Sequence, residues 1–393
     1  MAGNKKQLGQ FFTTNSDYIL KGLEKRVVGK EVIDPFAGNG DLLVWAKNNG
    51  AKNVRGFDID KKYINKKTIK FNDNILSPLK FKFVITNPPY LNVNKATKET
   101  KFKYFSKFQF EDLYQIALQS IMDSDEGIVI VPINFLSAEN SKSIRDIFFS
   151  KFEIVEINYF KQQVFADTTY NVIAFYYVKK TNYFKEGFEI KTHIYPEGKD
   201  ILIKLERKYG WIIGGEFVSK IKNQDNNLGV YRLTEEMINN QKGDIKLKAA
   251  YNHIDQRVDI YVTKQLAELT KSNVMLLKAI DSGTDKGKIA LENIKNYGVE
   301  CLISKSTSRH MIYLVFSEPL PVTIQNKIIN LFNKNLEQLR QDYCSLFLTN
   351  YRDKDRKRIS FDFAYKLINH IYFNNIINKY ENLNVLPLKL ANE

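Results

Sequence analysis

Along roughly the first 180 positions, apolar residues fall into short runs that end in a glycine, an acid or a proline, with helical spacing between the runs. Glu31-Val32-Ile33-Asp34 reads as a strand and Pro35 to Gly40 as a turn. Leu42, Leu43, Trp45 and Ala46 then carry the periodicity of a buried helix face. Asn53 to Asp60 reads as a second strand, closing on acids, and Phe83-Val84-Ile85-Thr86 as another, closing on Asn87-Pro88-Pro89-Tyr90. Leu113, Ile116, Ala117, Leu118 and Ile121 predict a helix, Gly127 to Pro132 a buried strand, and Ser141 to Phe149 a further helix. Glu153 to Tyr159 and Val172 to Val178 read as two strands with no helical pattern between them, so an antiparallel pairing is expected. Such alternation predicts an α/β domain with a doubly wound sheet.

After about residue 180 the alternation dissolves into short strands (Ile212-Ile213, Met311 to Phe316), helices (Ile324 to Leu339, Phe363 to Tyr372) and loops. A chain of 393 residues exceeds one ordinary core. We therefore expect two domains, 1–180 and 181–393, the second of mixed α+β type.

Composition adds a partner class. The hydrophobic share of 44% and charged share of 26% are those of a globular protein. A formal charge of +15 makes a polyanion the first partner to consider, although surplus lysine also serves solubility. The two cysteines, Cys301 and Cys344, lie far apart with no paired ligands nearby, so neither a disulfide framework nor a zinc site is expected. The opening residues have no apolar signal core, and no run approaches a membrane span, so a cytoplasmic protein is expected.

The strand ends carry the candidate chemistry. Gly38 and Gly40 allow a backbone turn close to a ligand, and Asp58 follows Gly38 by twenty residues, the interval at which nucleotide-binding α/β folds place a ribose acceptor. A third glycine and a phosphate loop are both missing, which favours a nucleoside cofactor without a pyrophosphate. At Asn87-Pro88-Pro89-Tyr90, consecutive prolines force the chain out of the sheet in a rigid turn. That turn presents the Asn87 amide, the Pro88 carbonyl and the Tyr90 ring together, a combination suited to a planar amino-bearing group.

Taken in order, these stretches resemble the gamma-class, Taq-type N6-adenine DNA methyltransferases of type II restriction-modification systems, over roughly residues 5–180. Gln10-Phe11-Phe12-Thr13, Asp34-Pro35-Phe36-Ala37-Gly38-Asn39-Gly40, Gly56-Phe57-Asp58-Ile59-Asp60, Asp73, Asn87-Pro88-Pro89-Tyr90, Asp112-Leu113-Tyr114, Val131 to Leu136 and Val164-Phe165-Ala166-Asp167 match the family's motifs in sequence. Two positions depart from the pattern: Thr14 stands where proline is usual and Lys82 where an acid is usual.

The resemblance implies a Rossmann-like, S-adenosylmethionine-dependent methyltransferase sheet in 1–180 and a DNA target-recognition domain in 181–393. The implied activity is site-specific methylation of N6 of a flipped-out adenine in double-stranded DNA. The implied cofactor is S-adenosyl-L-methionine, with no metal. Asn87, Pro88, Tyr90 and Phe165 would be catalytic, the two rings stacking on the extruded base. Phe11, Thr13, Asp34, Gly38, Gly40, Asp58, Ile59 and Asp73 would hold the cofactor, with Asn74 competing for the role of Asp73. Lys101, Lys103, Arg352, Arg356 and Arg358 are DNA-contact candidates, and Lys305, Arg309 and His310 form a weaker cluster. A monomer is expected, and a separately encoded endonuclease reading the same site is a candidate partner. Two alternatives remain open at this point: methylation of a release-factor glutamine or of ribosomal RNA adenine, and a non-catalytic DNA-binding subunit.

Overall fold

The computed structural model describes residues 13–377 apart from 66, 166–170, 183, 223–227, 241, 281–287 and 344–357. Phe11, Arg352 and Arg356 therefore lie outside the described residues.

The first half of the chain builds a nine-stranded sheet in the order β3-β2-β1-β4-β5-β7-β6-β8-β9. The strands are β1 (Glu31–Asp34), β2 (Asn53–Asp58), β3 (Ile69–Phe71), β4 (Phe83–Thr86), β5 (Glu126–Pro132), β6 (Phe152–Phe160), β7 (Val172–Lys179), β8 (Gly187–Tyr195) and β9 (Lys199–Glu206). Strands β1 to β5 pair in parallel, and β7 inserts antiparallel between β5 and β6, as the missing helical pattern predicts. Helices α1 (Asp41–Asn48), α2 (Leu113–Ser120) and α3 (Lys142–Lys151) supply connections. Each helix buries one apolar stripe: Leu42, Leu43, Trp45 and Ala46 in α1, and Ile144, Phe148 and Phe149 in α3. Because both faces of the central strands are covered, β4 and β5 are apolar almost throughout, as buried parallel strands require.

The boundary expected at residue 180 falls inside this sheet. Strand β8 pairs in parallel with β6, β9 closes a hairpin on β8, and the compact unit runs through Gly215. A hairpin can extend a sheet edge without a crossover helix, so loss of strand-helix alternation does not mark a domain end here. Phe188, Ile190, Thr192 and Ile194 are buried at every second position of β8, which is how it packs against the same core. Ile212-Ile213 does not form a strand. The pair lies in a tight turn, with Ile213 buried and its N–H donating to the Leu136 carbonyl.

The second unit begins at Glu216. It holds a four-stranded sheet, β10-β16-β13-β14, and a three-stranded sheet, β12-β11-β15. These are β10 (Tyr231–Arg232), β11 (Lys242–Tyr251), β12 (His253–Val262), β13 (Met275–Lys278), β14 (Ala290–Asn293), β15 (Cys301–Ile303) and β16 (Met311–Val315). Its longest helices among the described residues are α4 (Lys264–Ser272), α5 (Val322–Tyr343) and α6 (Phe361–His370). Its core includes Leu247, Val262, Leu266, Leu276, Leu302 and Tyr313. The α+β character expected of this region is present.

Candidate active site

The strand order reverses at β1, which lies between β2 and β4. In open α/β sheets the crevice at the carboxyl ends beside such a point is where ligands bind. Here those ends carry Asp34, Asp58 and Asn87, and a cleft is lined by Thr13, Asp34, Gly38, Asp58, Ile59, Asp73 and Asn87, among others. Seven expected site residues, far apart in sequence, therefore share one cavity.

Asp34 is 1% exposed. Its Oδ1 accepts the Phe36 N–H at 3.0 Å and the Thr86 hydroxyl at 2.8 Å, which ties the end of β4 to the end of β1. Burial pushes its carboxyl up to about 7, against those two hydrogen bonds, with Asp58 and Asp41 adding repulsion. A carboxylate so reluctant to ionise is poised to accept a cationic ligand group.

Asp58 serves the glycine turn. Its Oδ2 accepts from Gly38 N–H at 2.8 Å and its Oδ1 from Asp60 N–H at 2.8 Å. Burial raises its pKa, opposed by those amide donors. Gly38 and Gly40 both take positive φ, 49° and 85°. Only Gly38 lines the cleft; Gly40 caps α1, and a Cβ there would meet the Ile69 side chain at 3.3 Å. Its role in the structure is thus to turn the backbone into α1.

Asn74 and Asp73 separate clearly. Asn74 is buried and donates to the Pro35 carbonyl at 2.7 Å, bracing the turn after β1. Asp73 lines the cleft. Its Oδ2 receives the Tyr104 hydroxyl at 3.0 Å and the Lys103 ammonium at 2.9 Å. Lys103, expected on the DNA side, is thus engaged with a cleft residue, and Tyr104 is a site residue that the sequence reading missed. A tyrosine inside an aromatic and lysine-rich stretch gives no periodic signal of which side chain turns inward.

Asn87 donates through Nδ2 to Thr13 Oγ1 at 3.1 Å, while its Oδ1 accepts from the Tyr90 hydroxyl. The Tyr90 hydroxyl also lies 2.9 Å from the Ile130 carbonyl on β5. Pro88 is buried and Pro89 lines the cleft. The Tyr90 ring is flanked edge-on by Tyr114 at 6.4 Å and by Phe165 at 6.5 Å. Tyr114 is fixed by Ser141, whose hydroxyl lies 2.8 Å from its own. Arg145 holds the neighbouring turn through the carbonyls of Phe135, Ala138 and Gly210 at 3.0, 2.7 and 2.9 Å.

In the second unit, Arg358 is half-buried and bridges Ile280 through its backbone, which differs from a freely exposed phosphate contact. Lys305 and Arg309 are exposed; Arg309 donates to the carbonyls of Ser306 and Ser308, and the Lys305 ammonium lies over the Tyr251 ring. Among the described residues there is no cluster of three or more His, Cys, Asp or Glu arranged for a metal, and no helix long and apolar enough to cross a membrane.

The sheet order and the cleft define a Rossmann-like α/β protein with a site at the carboxyl edge of its sheet. Residues 25–165 match the family model described as Eco57I restriction-modification methylase. No curated protein matches the chain. Among solved structures, the chain is similar to the type IIL restriction-modification enzyme MmeI, solved in complex with DNA: 11% identity, TM-score 0.47, covering 91% of this chain and 63% of that one. It is also similar to the type IIG restriction endonuclease BpuSI, at 13% identity and TM-score 0.40, covering 67% and 43% respectively. A third is the type I restriction-modification methyltransferase subunit from Streptococcus thermophilus, at 16% identity and TM-score 0.34, covering 50% and 48%. The chain spans less than two thirds of the length of each.

Proposed function

We propose that this chain is a DNA methyltransferase of a restriction-modification system, transferring a methyl group from S-adenosylmethionine to N6 of an adenine extruded from duplex DNA. The observation that carries the reading is the meeting of Asn87 with Asp34, Gly38, Asp58 and Asp73 in one cleft. The residues present fit the cofactor: a buried acid for an ammonium, a glycine turn for the methionine portion, Asp58 for the ribose, and Asp73 beside the apolar Ile75 and Leu113 for the purine. When bound, S-adenosylmethionine supplies an already activated methyl group.

The chain's own task is then orientation. Asn87 Oδ1 and the Pro88 carbonyl are acceptors for the two protons of an exocyclic amine. Accepting both draws the nitrogen toward a tetrahedral geometry, turns its lone pair out of the ring, and favours the positive charge that develops during transfer. Thr13 helps to hold the amide by accepting from Nδ2, and Oδ1, which takes the Tyr90 hydroxyl, has a second lone pair for the substrate amine. Extruding a base costs a few kcal/mol, which stacking on Tyr90 and Phe165 offsets by about 1–3 kcal/mol per contact.

The test is tritiated methyl transfer to mixed-sequence duplex DNA, followed by nucleoside analysis. Label is expected in N6-methyladenine, with a loss of roughly 100-fold or more in Asn87→Ala, the size typical of removing a key polar transition-state contact. Cofactor binding should persist in the variant. Label in release factor or ribosomal RNA, with none in DNA, would overturn the assignment.

A further inference from the structure

The segment that follows the Asn-Pro-Pro-Tyr turn is sorted by its backbone into an inner and an outer side. Lys98–Thr100 makes one α-helical turn, capped by Thr97, whose hydroxyl accepts the Thr100 N–H. Lys101–Phe105 then widens into a π-helical turn, with Ser106 N–H reaching the Lys101 carbonyl at 2.9 Å. Lys101 is exposed and Phe102 is 81% exposed, whereas Tyr104 is 4% exposed and packs with Ile75, Leu91, Leu113 and Ile116. Lys103 is exposed like Lys101, its side chain 43% accessible, but its ammonium reaches back to a cleft carboxylate.

Tyr104 and Lys103 converge on a single atom, Asp73 Oδ2, at 3.0 and 2.9 Å, and the Lys103 ammonium lies 4.8 Å from the Tyr104 ring centroid. The Leu76 N–H approaches Oδ1 at 3.3 Å. Burial pushes the Tyr104 hydroxyl up to about 12, so it remains a donor. A carboxylate oxygen accepts about two hydrogen bonds. Oδ2 is therefore filled from the protein side, and Oδ1 keeps one position for a ligand donor. Tyr104 also lines the cleft, presenting an aromatic wall beside that position.

We infer that Tyr104 and Lys103 are positioning residues for the nucleoside end of the cofactor site, aiming Asp73 Oδ1 at the purine amino group, and that Lys103 is not a DNA-phosphate contact. The inference rests on the reading of Asp73 as the purine acceptor. It has a consequence for specificity. With Oδ2 saturated by donors, the carboxylate selects a ligand that donates at this position and rejects one that presents a carbonyl, so amino- and oxo-purines are told apart through Tyr104.

The test uses the full chain without DNA, and calorimetric binding of S-adenosylhomocysteine and of its inosine counterpart, in which oxygen replaces the amino group. Wild type should prefer the amino form. Tyr104→Phe, which keeps the ring, should weaken the amino form by about three- to tenfold, the size of one net hydrogen bond, and should narrow its preference over the oxo form. Equal weakening of both ligands, or none, would overturn the inference, since a purely structural role does not sense the purine substituent. Asp73→Asn separates the two layers: if it leaves the amino preference intact, the underlying reading of Asp73 fails. If it abolishes the preference while Tyr104→Phe does not alter it, only the present inference fails. DNA binding as a function of salt gives the second arm. Lys103→Gln should leave the slope of log affinity against log salt unchanged; a slope shallower by about 0.9, the value of one phosphate contact on duplex DNA, would return Lys103 to the DNA side.

Discussion

The rings of Tyr90 and Phe165 stand with centroids 6.5 Å apart and planes inclined at 68°. Centroids at that distance and inclination are a direct edge-to-face contact, whereas a base held between two rings needs about 3.5 Å on each face, so a purine enters only if the two rings part and turn parallel. Tyr90 is the anchored member, through its hydroxyl to Ile130 and Asn87. Accepting a base between parallel faces therefore falls to the Phe165 side. Phe165→Ala should lower kcat/KM for a target adenine in normal duplex by the worth of one stack, about 1–3 kcal/mol. The loss should be smaller when that adenine is mismatched, because less unpairing work then has to be offset. Equal losses on both substrates would leave Phe165 as a packing residue.

Thr13 reaches Asn87 from 74 residues away and accepts its Nδ2–H. The bond holds the amide in place at the cleft beside the Tyr90 hydroxyl on Oδ1, and without it the side chain is free to turn away from the substrate amine. Thr13→Val, matched in shape, should reduce turnover by roughly tenfold, the size of a hydrogen bond to a neutral partner, and Thr13→Ser should restore it. Single-turnover kinetics at saturating cofactor check this; an undiminished rate in the valine variant would show that other contacts suffice to orient the amide.

Much of this geometry was legible from residue order, for a physical reason. In a parallel sheet the functional loops all leave from the carboxyl edge, so Asp34, Asp58 and Asn87 at successive strand ends must become neighbours once β1, β2 and β4 are recognised. What stayed hidden depends on rotation about the chain rather than on order. The π-helical turn at Lys101–Phe105 directs Tyr104 inward and Lys103 onto Asp73, and no 3.6-residue periodicity encodes that. Arg145 on α3 is 2% exposed, although an arginine is mostly found at the surface. The continuation of the sheet through β8 and β9 was hidden because an added edge hairpin looks, in sequence, like the start of something new.

Asp34 predicts a pH signature. Its carboxyl sits near 7 in the folded chain against 3.8 as a free group. Between those values the unfolded chain releases its proton more readily, so this residue's contribution to stability falls as pH rises from about 4 to about 7, and the deficit persists above. Asp34→Asn should remove that slope, melting relatively higher than wild type at pH 8 than at pH 5.5. An ammonium-bearing ligand favours the ionised form, so S-adenosylmethionine affinity should rise with pH through about 7 in wild type. In the asparagine variant it should be weaker and lack this residue's pH-dependent component. Calorimetry in two buffers of different ionisation enthalpy reads the proton released on binding near pH 6.5. The same proton release in both proteins would assign the titration to another group.

Arg145 tests how the turn behind Tyr90 is held. Burial lowers its guanidinium to about 10, so the group is still charged at neutral pH while it donates to three backbone carbonyls. Arg145→Met fills a similar volume but leaves those carbonyls without this donor, each costing about 1–3 kcal/mol if no water replaces it. A destabilisation of at least about 3 kcal/mol is therefore expected in chemical denaturation. The same turn carries Ser141, which braces Tyr114 against the edge of the Tyr90 ring, so the damage should extend to the site. At a temperature where the variant remains folded, cofactor affinity should be close to wild type, because Arg145 does not line that cleft, while turnover on DNA falls. Loss of both in parallel would mean that Arg145 supports the sheet as a whole; unchanged turnover would mean that Tyr114 keeps its place without it.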